Sequence, residues 1–103
     1  MRFKGSVTLN GVKPEVVTAL IVCNDIYANY GQDMVVTSIT EGTHGKGSLH
    51  YVGFAFDLRT RNFQYPKDID LVVKDMREYL TEEFDIIIEK DHLHIEFQVK
   101  QPK

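Results

Sequence analysis

Residues 85–99, DIIIEKDHLHIEFQV, decide the fold because they contain two strand-forming runs around a predicted tight turn near Lys90–Asp91. The first run, DIIIE (85–89), is rich in β-branched isoleucine. The second run, HLHIEFQV (92–99), alternates polar with apolar residues, which is typical of a strand that buries one face and exposes the other. The stretch therefore predicts two closing strands with one polar face left free for a site.

The same kinds of pattern predict the rest of the secondary structure. MVVTSIT (34–40) and GFAFDLR (53–59) are predicted strands, separated by the glycine-rich loop EGTHGKG. Apolar residues at three- to four-residue spacing predict one helix over about 14–30 and a second that begins at Pro66–Asp68. Weak alternation over residues 3–9 predicts a short edge strand there. The sequence thus predicts an α+β fold, with two helices packed on a small, largely antiparallel sheet.

The composition is that of one globular domain, residues 1–103. With 43% hydrophobic and 26% charged residues, the chain has the composition of an ordinary globular protein. Its net charge of -3 gives no electrostatic footprint for nucleic acid, which would need a clustered basic face. No run approaches the ~20 apolar residues of a membrane span, and the N-terminus has no signal-peptide pattern. We expect cytoplasmic synthesis, a monomer, and no nucleic-acid or membrane partner. The single cysteine, Cys23, is expected to be a buried and inert thiol.

The four histidines all lie in the loop before one predicted strand or at the start of another. His50 and Asp57 are seven residues apart, which would place them on opposite faces of a straight strand. Gly53 lies between them and can adopt the backbone turn that brings both to one side. Ala55 shares the face of Asp57 and leaves room for an ion. Imidazole and carboxylate are both good zinc ligands, so this stretch forms one half of a candidate metal site.

The final strand offers the other half of the candidate site. His92, His94 and Glu96 share one face of that strand, and Asp91 lies at its start. Either histidine would complete a set of two histidines and one carboxylate. Such sets leave a fourth zinc position open, as in catalytic sites.

These residues belong to two motifs, SLHYVGFAFD (48–57) and DHLH (91–94). The first fits the pattern Ser-x-His-x-x-Gly-x-Ala-x-Asp and the second fits Asp-x-x-His. Together they resemble the zinc D-alanyl-D-alanine carboxypeptidases and the L-alanyl-D-glutamate endopeptidases of phage endolysins, whose fold also includes the hedgehog signalling domain. The resemblance extends over nearly half the chain. It implies a hedgehog/DD-peptidase type of fold and one bound Zn²⁺ ion.

Carried over residue by residue, the resemblance implies that His50, Asp57 and His94 are the zinc ligands. It implies that Asp91 is the general acid or base, because this is the acidic residue three positions before the last ligand. His92 is implied either as a partner of the ligands or as a donor to the developing oxyanion.

The resemblance also identifies substrate-binding and supporting residues. Ser48 is implied to orient the metal-binding loop. Family members carry an arginine on the strand before the metal motif to bind the substrate, but VVTSITEGTHGKG here contains none. His44, Lys46 and Arg59 are the candidates to replace it, and Arg59 shares the strand face of Asp57.

The implied reaction is hydrolysis of an amide bond in a peptidoglycan stem peptide. A phage origin would suit a small single domain without a leader, because lysis would give it access to the cell wall. The main alternative is a zinc-binding but non-catalytic module of a virion or of a wall-binding protein. A third alternative, a zinc-free structural domain, requires His50, Asp57 and His94 to lie apart.

Overall fold

The computed structural model describes residues 1–39 and 55–98. This part of the chain forms one five-stranded sheet and two helices, which confirms the predicted α+β class. Neither helix combines the length and the apolar character needed to cross a membrane. The elements are β1 (Arg2–Phe3), α1 (Pro14–Asn29), β2 (Val35–Ile39), β3 (Ala55–Arg59), α2 (Lys67–Tyr79), β4 (Phe84–Ile88) and β5 (His92–Phe97).

The strands follow the order β1-β2-β3-β5-β4 across the sheet. All neighbouring pairs are antiparallel except β1 and β2, which are parallel. The predicted closing strands form a hairpin, in which the backbone N–H of Glu89 donates to the carbonyl of His92 at 2.9 Å. This topology places β3 and β5 side by side in the interior of the sheet, so their side chains meet on both of its faces.

The first helix ends as its sequence predicts. Pro14 occupies the first turn, where its missing N–H is not needed. Gly31 has φ +69°, and its N–H donates to Ala28 while that of Gln32 donates to Tyr27, both at 3.0 Å. This is a Schellman motif, which glycine forms without the steric cost that other residues meet at positive φ.

One face of the sheet is buried under the two helices. Alternate strand residues such as Leu58, Leu93 and Ile95 are fully buried and share one core with the apolar faces of α1 and α2. Cys23 belongs to this core, which confirms its expected burial, and burial raises the pKa of its thiol to about 12. The opposite face of β3 and β5 is left to polar side chains.

The predicted N-terminal strand is wrong in its extent. The strand covers only Arg2–Phe3, and the chain then turns at Gly5–Ser6. The backbone N–H of Val7 donates to the carbonyl of Lys4 at 2.9 Å and closes this turn. The weak alternation in residues 3–9 therefore does not produce an extended strand beyond Phe3.

Candidate functional site

The polar face of β3 and β5 brings Asp57 and His94 into direct contact. The two residues are register partners across the antiparallel pair. The Oδ1 atom of Asp57 lies 2.6 Å from the Nδ1 atom of His94, and the side chains are 23% and 20% exposed. Two of the three predicted zinc ligands, which come from separate motifs, are thus adjacent on one sheet face.

Glu96 holds the other side of the His94 ring. Its Oε1 atom lies 2.7 Å from Nε2 of His94, so the imidazole sits between two carboxylates. When both carboxylates are ionised, both ring nitrogens must donate, which requires the imidazolium form. The hydrogen bond to Asp57, supported by Glu96 and opposed by burial, raises the pKa of His94 to about 9. Glu96 was not among the predicted site residues, although its strand parity with His94 was a usable signal.

Asp91 and His92 form a second acid–imidazole pair beside the first. The Nδ1 atom of His92 donates to Oδ1 of Asp91 at 2.8 Å, and Nε2 of His92 lies 3.8 Å from Oδ2 of Asp57. This hydrogen bond lowers the pKa of the exposed Asp91 carboxyl below its usual value. The His92 ring therefore stands between the Asp91 and Asp57 carboxylates.

The chemistry of the Asp57–His94 pair suits zinc, although its present geometry is that of a hydrogen bond. Tetrahedral zinc at ordinary bond lengths holds its ligand atoms roughly 3.3 Å apart, so the pair would have to open by roughly 0.7 Å. His94 would also have to exchange one proton for the metal. Glu96 would then keep the second ring nitrogen as a hydrogen-bond donor, which is the usual outer partner of a metal-binding histidine.

A complete metal set is not present within residues 1–39 and 55–98. No group of three His, Cys, Asp or Glu side chains in these ranges is arranged to hold a metal ion. Both ring nitrogens of His94 are hydrogen-bonded to carboxylates, those of Asp57 and Glu96. The third predicted ligand, His50, lies outside the described residues. The described pair can therefore supply two of the three predicted donors.

A basic cavity of about 160 Å³ adjoins this pair on the same face. Arg59, a predicted substrate-binding residue, lies there as the register partner of His92. A register shift between Val36 and Ser38 inserts one extra residue, Thr37, into β2, and bulges of this kind re-aim side chains. The cavity is lined by Lys4, Thr37, Arg59, Arg61, Asp91 and His92.

The predicted site residues thus divide between the described and the remaining parts of the chain. The described ones that share the polar face are Asp57, Arg59, Asp91, His92 and His94. Those outside the described residues are His44, Lys46, Ser48 and His50. Comparison of the chain with protein-family models, with curated proteins and with solved structures finds no match.

Proposed function

We propose that this chain is a zinc peptidase-like domain with the hedgehog/DD-peptidase type of fold. It would hydrolyse an amide bond in peptidoglycan stem peptides, as a carboxypeptidase or an endopeptidase of the phage endolysin kind. The observation that carries the proposal is the contact of Asp57 with His94, which are 37 residues apart in sequence. Two motifs that would otherwise be unrelated supply a carboxylate and an imidazole to one spot on a polar sheet face.

In this proposal, Asp57 and His94 hold the metal together with His50. Bound zinc would act as a Lewis acid on the scissile carbonyl and would lower the pKa of a coordinated water to about 7. Glu96 orients the His94 ring, because its carboxylate lies 2.7 Å from the ring nitrogen that faces away from Asp57. An oriented ligand loses less freedom on binding the ion, so Glu96 strengthens the site without touching the metal.

Asp91 and His92 manage the proton in the proposed reaction. The Asp91 carboxylate is hydrogen-bonded to Nδ1 of His92, and Nε2 of His92 lies 3.8 Å from Oδ2 of Asp57. The resemblance implies Asp91 as the general acid or base; because Asp91 is paired with His92, we propose that the two residues act together. His92 would accept the proton of the attacking water at Nε2 and pass it to the leaving amine, while Asp91 would stabilise the imidazolium that forms between these steps.

Metal content and peptidoglycan digestion test this proposal together. The purified chain should hold about one zinc, and single Asp57→Ala, His94→Ala and His50→Ala variants should lose it, because two remaining ligands hold zinc poorly. Asp70→Ala is the matched control, since Asp70 is an exposed carboxylate on α2. Product masses from digested peptidoglycan would identify the bond that is cleaved. Full zinc content in all three ligand variants would exclude the assigned centre.

A non-catalytic zinc module of a virion or of a wall-binding protein is the alternative. It is favoured by the absence of arginine from VVTSITEGTHGKG, where the resembled peptidases bind their substrate. One outcome separates the two functions: zinc bound through Asp57 and His94 without any hydrolysis of peptidoglycan would establish the alternative.

A further inference from the structure

The basic cavity beside the candidate centre carries an excess of positive charge. Among the described residues that line it, three are cations, Lys4, Arg59 and Arg61, and one is a carboxylate, Asp91. Asp91 is already bonded to His92 through Oδ1. Like charges gathered at one opening repel each other, and this repulsion is relieved when an anion binds between them.

Among the described residues, 1–39 and 55–98, no carboxylate forms a close ion pair, within 4.0 Å, with any of the three cations of the cavity. Arg2, by contrast, pairs with Asp33 at 3.2 Å. The guanidinium groups of the cavity therefore keep donors available, and their planar fork suits a carboxylate.

Backbone contacts fix the positions from which these side chains enter the cavity. Lys4 is attached to β2 by its N–H, which donates to the carbonyl of Val36 at 2.9 Å. The carbonyl of Arg59 accepts the Tyr27 hydroxyl at 3.0 Å, and the N–H of Thr60 donates to the carbonyl of Asp91 at 3.0 Å. Arg59 lies in β3, whereas Lys4 follows β1 and Arg61 lies in a turn next to Thr60. Backbone hydrogen bonds at or next to each of these positions reduce the conformational entropy that is lost when a ligand binds.

We propose that this cavity binds a carboxylate of the peptide ligand through Arg59 and Arg61, with Lys4 adding charge at its edge. A volume of about 160 Å³ admits one small end group of a ligand. The identity of the peptide rests on the proposed function, whereas the carboxylate preference rests on the cavity alone. Because Arg59 is the register partner of His92, the bound carboxylate lies next to the reacting part of the site.

The test is an NMR titration of the metal-free full chain, which separates this inference from zinc binding and hydrolysis. The probe is N-acetyl-D-alanyl-D-alanine, compared with its C-terminal amide and with inorganic phosphate. The acid should shift the backbone amides of Thr60 and His92 and should bind at least about 10-fold more tightly than the amide, because a charge-assisted hydrogen bond is lost in the amide. Phosphate should bind more weakly than the acid.

Substitutions of the cavity's cations test whether the acid binds in the cavity. Arg59→Gln and Arg61→Gln should each weaken acid binding by about 10-fold, and Lys4→Met by less. Arg2→Gln removes the same charge from outside the cavity and should leave the affinity unchanged. Arg59→Gln keeps the backbone carbonyl that accepts from Tyr27, so this variant retains the local fold. Arg59→Lys, which keeps the charge but loses the fork, should fall between Arg59→Gln and the unaltered chain.

Three results would overturn the inference: equal affinity for acid and amide, tighter binding of phosphate than of the acid, or unchanged acid affinity in both arginine variants. A chain that binds the acid through Arg59 and Arg61 but holds no zinc would support the inference while excluding the proposed function. A chain that holds zinc and cleaves peptidoglycan, but does not bind the acid through Arg59 and Arg61, would support the proposed function while excluding the inference.

Discussion

The two faces of β3 and β5 differ in what their side chains contribute. Leu58 and Leu93 are register partners on the helix-covered face and are completely buried. Asp57 and His94 are the next partners along the same two strands, and they lie on the open face as a partly exposed ion pair. Burial of apolar area stabilises the first face, whereas the second places charged groups where a ligand can reach them. Substitutions at adjacent residues of these strands can therefore distinguish contributions to stability from contributions to function.

Replacing Ile95 and its neighbour His94, which lie on opposite faces of β5, should give the largest difference in the free energy of unfolding. Ile95→Ala should lower the free energy of unfolding by about 2–5 kcal/mol, because Ile95 is fully buried and its loss leaves a cavity. His94→Ala should lower it less, since solvent reaches this side chain and can rehydrate Asp57 and Glu96. Urea unfolding of both variants measures the difference. With zinc added, Ile95→Ala should still be stabilised by the metal and His94→Ala should not. If His94→Ala lowered the free energy of unfolding more than Ile95→Ala, the proposed difference between the two faces would be wrong.

Replacements in the Asp91–His92 pair should affect turnover far more than stability. His92→Ala and Asp91→Ala should each lower the rate of peptidoglycan hydrolysis by at least ~100-fold, the usual contribution of a positioned acid or base. Both variants should keep zinc and the fold, because neither residue is an assigned ligand. Turnover and metal content, measured on the same preparations, check this. Normal turnover in His92→Ala would exclude proton transfer by His92. It would also show that turnover does not require the His92 ring, which links Asp91 to Asp57.

The metal-free protein should become less stable at alkaline pH, because His94 on the polar face loses its proton there. The pKa of His94 is about 9 in the fold, compared with an ordinary value of 6.5. A raised pKa stabilises the fold fully below pH 6.5 and loses that contribution as the pH rises through 9, here about 1–3 kcal/mol once the shift is discounted for solvent screening. Unfolding measured across this range should show the decline, and His94→Gln should abolish it. Zinc affinity should change in the opposite direction, because the metal competes with the His94 proton.

The smallest predicted effect lies away from both faces, at the end of α1. Gly31→Ala should cost about 1 kcal/mol, because φ is +69° and a side chain there is strained even though nothing lies within 4 Å. Gly5→Ala is the matched control: an added Cβ also meets nothing within 4 Å, and its φ is not positive. Thermal unfolding should separate the two variants, with zinc content unchanged in both. Equal melting temperatures would contradict the strain argument.

Local patterns predicted the features that depend on alternation and spacing. The polar face of β5 and the apolar stripe of α2 follow from such patterns, and both are confirmed. The contact between Asp57 and His94 was anticipated from the resemblance of their motifs. Strand parity placed Glu96 on the face of His94, but its contact with the imidazole ring was not predicted. The contributions of Lys4 and Arg61 were not anticipated, because they depend on which strands pair and in which register.

The parallel pairing of β1 with β2 shows why the cavity escaped prediction. No local pattern in the sequence indicates that Lys4 would lie beside Thr37, since the two residues are brought together only by a contact between distant strands. The extra residue in β2 likewise appears only once its register with β3 is known. Sequence periodicity therefore cannot predict a site whose residues are brought together by the pairing of strands that are distant in sequence.

The hydrogen bond from Tyr27 to Arg59 gives the basic cavity an optical reporter on the far side of the sheet. The chain contains five tyrosines and no tryptophan, so its intrinsic fluorescence comes from phenol rings. Tyr27 is completely buried, its ring meets Phe63 edge-on at 5.2 Å, and its hydroxyl donates to the carbonyl of Arg59. An anion bound at the Arg59 side chain would change the electric field at this hydrogen bond, and with it the emission of a phenol shielded from solvent quenchers. Occupancy of an open polar site could thus be followed by light emitted from within the core.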